Sequence, residues 1–238
     1  MPDSPRWIIE RHRAELAETD RVLVPSDYVR DTLVARGVPE ARIATIPYGV
    51  DVARFQPPEA PRPRERMRLL FVGHLSQRKG IGYLLEAARR LRGMPGLELV
   101  LVGRRVGADA AFAPYRDVFR HVPHVPFHEV HALFQDADVF VYPSLHEGSA
   151  FVTYEALASG LPVITTPNAG SVVRDGEEGY VVPIRDVDAI VDRVERLQRD
   201  PDLRAAMSKA ARRRALDFTW DAYRTRVAAQ LDRWLSSP

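Results

Sequence analysis

Two short loops and a pair of carboxylates hold the residue types in this sequence that could do chemistry. The first loop, Gly73-His-Leu-Ser-Gln-Arg-Lys-Gly80, sets His74, Arg78 and Lys79 beside glycines that let a ligand approach the backbone. The second is Ser144-Leu-His-Glu-Gly-Ser-Ala150. Gly148, Ser149 and Ala150 stand where a helix is expected to begin, so their N–H groups and the helix dipole favour an anion. Together the loops would hold a diphosphate without a metal; either loop alone reads equally well as an ordinary strand–helix turn. Glu147 and Glu155 are separated by seven residues. With a helix starting near Ala150, Glu147 stays in the loop and Glu155 projects from the second turn. One carboxylate could then accept from sugar hydroxyls and the other from ribose hydroxyls. The plainer alternative makes Glu147 a helix cap and Glu155 part of a solvated face.

Strand-like and helix-like segments alternate along the chain, the pattern of a parallel sheet with crossover helices. Buried strands are expected at 69–73, 97–103, 139–143, 162–165 and 179–183, with helices at 81–91, 129–136, 150–159, 186–199, 202–216 and 220–235. Residues 104–120 read as irregular, with room for one helix. The fold class is α/β, a doubly wound Rossmann-like parallel sheet over 67–216. Ahead of it, 57–66 is Pro-rich and charged, a linker. Residues 1–56 give two strand–helix units, with Ser26 capping a helix, too few to bury a core of their own. They are expected to be the tail of an N-terminal domain whose beginning is absent, and 217–238 forms a final helix. In such sheets ligands bind beyond the carboxyl ends of the strands, where both chemistry-bearing loops fall.

Composition narrows the function classes. A net charge of +2 is too small to imply a nucleic-acid partner. The chain has no cysteine, which excludes disulfides and thiolate chemistry and suits a reducing cytoplasm. No apolar run is long enough for a membrane span, and Met1-Pro-Asp-Ser-Pro-Arg6 lacks the apolar stretch of a secretory signal. Only Lys79 and Lys209 of the 34 basic residues are lysine. His121, His124, His128 and His131 cluster without an acidic metal motif, so loop or base contacts are preferred to a metal site. Arg212-Arg-Arg214 reads as a solvated helix face, or as a contact for acidic lipid at the inner membrane face. Trp220, Tyr223, Val227 and Leu231 make an apolar stripe expected to lie partly exposed.

The string Glu147-Gly-Ser-Ala-Phe-Val-Thr-Tyr-Glu155-Ala-Leu-Ala-Ser-Gly160-Leu-Pro-Val-Ile-Thr resembles the E-x7-E signature of family 4 retaining glycosyltransferases of the GT-B fold. Ile46-Pro-Tyr-Gly-Val-Asp51 resembles the interdomain hinge, with Tyr48 where Asn is usual, and Val72-Gly-His-Leu-Ser-Gln-Arg-Lys-Gly80 resembles the diphosphate loop. Leu101–Gly103, Ala137–Ser144, Asp175–Pro183 and the helix from Phe218-Thr-Trp220 follow in family order, so the resemblance covers essentially the whole chain. It implies that Lys79, with Gly73, His74, Arg78 and the amides of Gly148, Ser149 and Ala150, binds the donor diphosphate. It further implies that Glu155 binds the ribose and that Glu147 acts at the transferred sugar. The donor would be a UDP-, GDP- or ADP-sugar, with no cofactor or metal, and the acceptor a sugar or lipid-linked sugar. The family's loop Arg is His74 here, which is expected to weaken diphosphate binding, make it pH-dependent, or pass part of it to Arg78. Residues 1–56 are expected to be the end of the acceptor domain, so catalysis by this chain alone is not expected. The alternative is a non-catalytic nucleotide-sugar-binding subunit served by a separate acceptor domain. A dinucleotide-dependent enzyme would need G-x-G-x-x-G after a strand, which the sequence lacks.

Overall fold

Runs such as Val139-Phe-Val-Tyr142 have no polar alternation, which suits a strand covered on both faces, and all four residues are buried. The computed structural model describes residues 5–59 and 65–236. Its larger sheet contains β3 (Met67–Val72), β4 (Leu97–Val102), β5 (Arg120–Val122), β6 (Val139–Tyr142), β7 (Val163–Thr165) and β8 (Gly179–Val181). They lie in the order β5-β4-β3-β6-β7-β8, every neighbouring pair parallel. This is the doubly wound arrangement expected from the sequence, and the order reverses between β3 and β6. Register pairs Leu69 with Val139 and Leu70 with Phe140 across that reversal.

Helices α3 (Ile81–Arg90), α4 (Val130–Gln135), α5 (Phe151–Ala158), α6 (Val187–Arg199) and α7 (Pro201–Leu216) flank the sheet. Their apolar residues recur at helical spacing: Ile190, Val194 and Leu197 of α6 are all buried. Asp186 and Asp200 cap α6 and α7 by accepting from the amides of Ala189 and Leu203. Phe71, Leu101, Phe134, Phe140, Val141 and Ile164 are wholly buried, each contributing about 1.5–3 kcal/mol relative to exposure.

The N-terminal part is smaller: α1 (Arg6–Glu18), β1 (Val22–Val24), α2 (Asp27–Val34) and β2 (Ile43–Thr45), with β1 and β2 paired in parallel. Ser26 caps α2 as expected, accepting from the Val29 amide. The final helix α8 (Trp220–Ser236) is tied to the turn after β2. There the Val50 amide donates to the Phe218 carbonyl at 2.8 Å, and a Cβ on Gly49 would lie 2.6 Å from Trp220 Cα.

Two expectations need amendment. Residues 104–120 include a 3-10 stretch, Asp109–Tyr115, and lead into the edge strand β5, which the irregular reading omitted. Arg212 and Arg214 form no solvated or lipid-facing run. Arg212 donates to the carbonyls of Val52, Phe55 and Ala158, and Arg214 to that of Val172, because both side chains turn in from α7 onto the neighbouring segments; of the three, Arg213 alone is exposed. Of the linker expected at 57–66, residues 60–64 lie outside the described residues, as do residues 1–4 of the opening segment. Among the described residues no helix is long and apolar enough to cross a membrane.

Candidate functional site

The strand order reverses between β3 and β6, where sheets of this kind form their ligand crevice, and the two loops read from the sequence meet at the carboxyl ends of those strands. Gly80 makes the meeting possible. Its φ is 74°, and a Cβ would sit 1.9 Å from the Pro143 carbonyl oxygen. The Leu145 amide (2.9 Å) and Ser144 Oγ (3.1 Å) both donate to the Arg78 carbonyl, stitching loop to loop. The segment after β7 props the second loop from below: the Asn168 side chain donates to the Leu145 carbonyl, and the Glu147 amide to the Asn168 carbonyl, both at 2.9 Å. Asn168 was not singled out in the sequence, and Ser144 was named only as the start of the second loop, although polar residues just past a strand's carboxyl end are the signal that could have found both roles.

Arg78, Lys79 and Glu147 converge. Glu147 forms ion pairs with Arg78, at 3.1 Å, and with Lys79. The Lys79 and Glu147 side chains are 14% and 12% exposed, so the pair is shielded and screened less than a surface pair. Lys79 Nζ also lies 5.4 Å from the Tyr142 ring centre. Burial, then the Glu147 charge, pushes the Tyr142 phenol well above its usual range. In this structure the carboxylate that the resemblance assigns to a sugar holds both cations that it assigns to a diphosphate.

The set of free amides is narrower than expected. The Ala150 amide donates to the Ala169 carbonyl at 2.9 Å. That of Gly73 donates to the Val102 carbonyl, because the β3–β4 ladder runs one residue past β3. The N–H groups of Gly148 and Ser149 have no acceptor among the described residues and stand just ahead of α5. The Ser149 hydroxyl is buried against the Gly170 carbonyl and the Tyr154 hydroxyl, so its side chain is committed internally and its free polar group is the backbone N–H. His74 is exposed at the loop tip.

Glu155 is not the solvated residue of the plainer alternative. It is partly buried on α5 and makes no hydrogen bond or ion pair among the described residues. Burial raises its pKa to about 7, against the opposing charge of Arg54. Arg54 itself lies over the Phe127 ring and donates to the Phe127 carbonyl. Partial burial without a side-chain donor disfavours the charged form of Glu155, in keeping with that upward shift. Of the histidine cluster, His121 bonds the Gly103 carbonyl at 2.9 Å and His128 approaches Glu129. No group of three or more metal-ligating side chains assembles among the described residues.

Comparison with known proteins fits this geometry. The profile of the family "Glycosyl transferases group 1" matches residues 53–214, and that of "Glycosyltransferase Family 4" matches residues 2–54. A GDP-mannose-dependent alpha-(1-6)-phosphatidylinositol monomannoside mannosyltransferase of Mycolicibacterium smegmatis is 34% identical, over 89% of this chain and 61% of its own length. A putative colanic acid biosynthesis glycosyltransferase of Salmonella typhimurium is 30% identical, over 89% of this chain and 56% of its own. The chain therefore spans somewhat more than half the length of these relatives. Among solved structures, a sucrose-phosphate synthase from Thermosynechococcus elongatus superposes with a TM-score of 0.82 at 27% identity, covering 98% of this chain and 62% of that one.

Proposed function

The chain belongs to the glycosyl transferases group 1 family, and from that membership we propose that its β3–β6 crevice binds a nucleotide-sugar donor in a GT-B glycosyltransferase of the family 4, retaining type. The observation carrying this reading is the convergence of Arg78, Lys79 and Glu147 beside the free amides of Gly148 and Ser149 at the sheet reversal. A diphosphate carries more negative charge than one carboxylate, so it competes for both cations. As Lys79 and Arg78 turn to the phosphates, Glu147 is released towards the sugar. The same cations and amides, with the dipole of α5 behind them, stabilise the charge that accumulates on the diphosphate as the sugar departs. Glu155 takes the ribose hydroxyls, which satisfy its otherwise unpartnered carboxylate. The reaction needs no cofactor or metal in this account, and the acceptor is a sugar or lipid-linked sugar.

The GDP-mannose dependence printed for the mycobacterial relative supports a nucleotide-sugar donor for this chain. Residues 1–56 would belong to the acceptor side, and the full transfer reaction would require more of an acceptor domain than β1, β2, α1 and α2 supply. The absence of cysteine agrees with a cytoplasmic setting. Calorimetry of the chain against UDP-glucose, GDP-mannose and ADP-glucose tests the reading. Heat of binding is expected with at least one donor and none with NAD; silence across the three would remove it.

A further inference from the structure

Glu147 is held from both sides by a helix more than a hundred residues away in sequence. The Tyr28 hydroxyl shares a 2.8 Å hydrogen bond with His146 Nδ1, and the two rings pack edge to face with centres 5.7 Å apart. Ser26 Oγ donates to the Gly148 carbonyl at 2.5 Å. The residues immediately before and after Glu147 are therefore each tied to the start of α2. We infer that Ser26 and Tyr28 are positioning residues for the donor site, fixing the Glu147 peptide unit and aiming the Ser149 amide; this rests on the donor-binding reading above.

Peptide geometry supplies the mechanism. In a planar trans peptide the C=O and the following N–H point in opposite directions. Anchoring the Gly148 carbonyl on Ser26 turns the Ser149 N–H away from α2. That residue is locked further by its hydroxyl on the Gly170 carbonyl and by the Ala150 amide on the Ala169 carbonyl. The free N–H is consequently fixed in direction before any ligand arrives. Close packing maintains the arrangement: a Cβ on Gly170 would lie 2.7 Å from Ser26 Oγ and 2.5 Å from the Gly148 oxygen. On the other flank, Tyr28 fixes the His146 ring while Arg78 Nη1 approaches the His146 carbonyl at 3.3 Å. Arg78 is the same side chain that pairs with Glu147, so the set of α2 influences the cation cluster as well as the amide.

The test compares wild type, Ser26→Ala, Ser26→Thr and Tyr28→Phe by calorimetry with the tightest of UDP-glucose, GDP-mannose and ADP-glucose, and with the matching nucleoside monophosphate. Ser26→Ala and Tyr28→Phe are expected to weaken the nucleotide sugar about threefold to tenfold, the range for one lost hydrogen bond, while the monophosphate changes less than about twofold. Ser26→Thr, which keeps the hydroxyl, is expected to restore binding. Should loss of the α2 cap unfold Ser26→Ala, Tyr28→Phe decides, since it touches no cap. Equal losses for both ligands, or none for the nucleotide sugar, would overturn this inference while leaving donor binding standing. A wild type that binds no nucleotide sugar would overturn the donor reading and this inference with it.

Discussion

Helices α3, α4, α5, α6 and α7 each carry buried side chains in the larger unit, whereas α1, α2 and α8 carry none. The two-stranded unit has strands of three residues, and Trp7, Ile9, Leu23 and Val34 remain exposed around it. A pair of parallel strands offers too little apolar area to close a core. Its attachment to the larger unit joins polar contacts, Ser26 to Gly148, Tyr28 to His146 and Arg212 to the carbonyls of Val52 and Phe55, with a few apolar ones from the segment after β2, where Val50 and Phe55 are buried in the main core and Tyr48 stacks on Phe151. Stability therefore resides mainly in one region, and the fine aim of the site depends on the other.

The sharpest way to break this comparison is Arg212→Ala, which strands three carbonyls, those of Val52 and Phe55 in the segment after β2 and that of Ala158 at the end of α5. A loss of about 2–4 kcal/mol is expected in chemical denaturation, with Arg213→Ala within about 0.5 kcal/mol as its exposed neighbour. Equal effects would mean that Arg212 does not clamp the segment holding Val52 and Phe55.

A smaller, pH-dependent effect is expected inside the larger unit. Glu155 has a folded pKa of about 7 against an ordinary value of 4.5, with burial as the cause. Between those values the folded protein keeps a proton that the unfolded chain has released, so stability falls as pH rises through this window. Glu155→Gln is expected to flatten that slope and to be more stable than wild type above about pH 7. If the ionised form accepts the ribose hydroxyls, donor affinity in wild type rises as pH climbs through 7, and the glutamine variant loses that rise. A pH-independent difference in melting temperature between the two proteins would refute the buried-carboxylate account. The least effect belongs to the two-stranded region: Trp7→Arg, at 63% exposure, should change stability by no more than about 0.5 kcal/mol, and a larger loss would place a hidden core there.

Much of the larger unit was legible because local pattern and global fold agree. Apolar runs end in Gly73 and Pro143, and the polar loops that follow fall on the same sheet edge. What was not legible depends on tertiary partners. Arg120-His-Val122 has too few apolar residues to announce an edge strand, and only pairing with Val100, Leu101 and Val102 makes it one. That Ala150 and Gly73 spend their amides internally follows from neighbouring segments, as does the closing of Lys79 onto Glu147. Spacing showed that Glu147 and Glu155 differ in depth; it gave no hint that Ser26 and Tyr28 reach the loop that carries one of them.

The proposed function has the cations of the first loop leave Glu147 for a donor diphosphate at the β3–β6 edge. Its most direct test is the dissociation constant of the tightest nucleotide sugar for wild type and for Lys79→Ala, measured side by side by calorimetry at one ionic strength. Loss of a shielded charge-assisted contact predicts weakening of about tenfold to a hundredfold. An unchanged constant would contradict the claim and place the donor elsewhere.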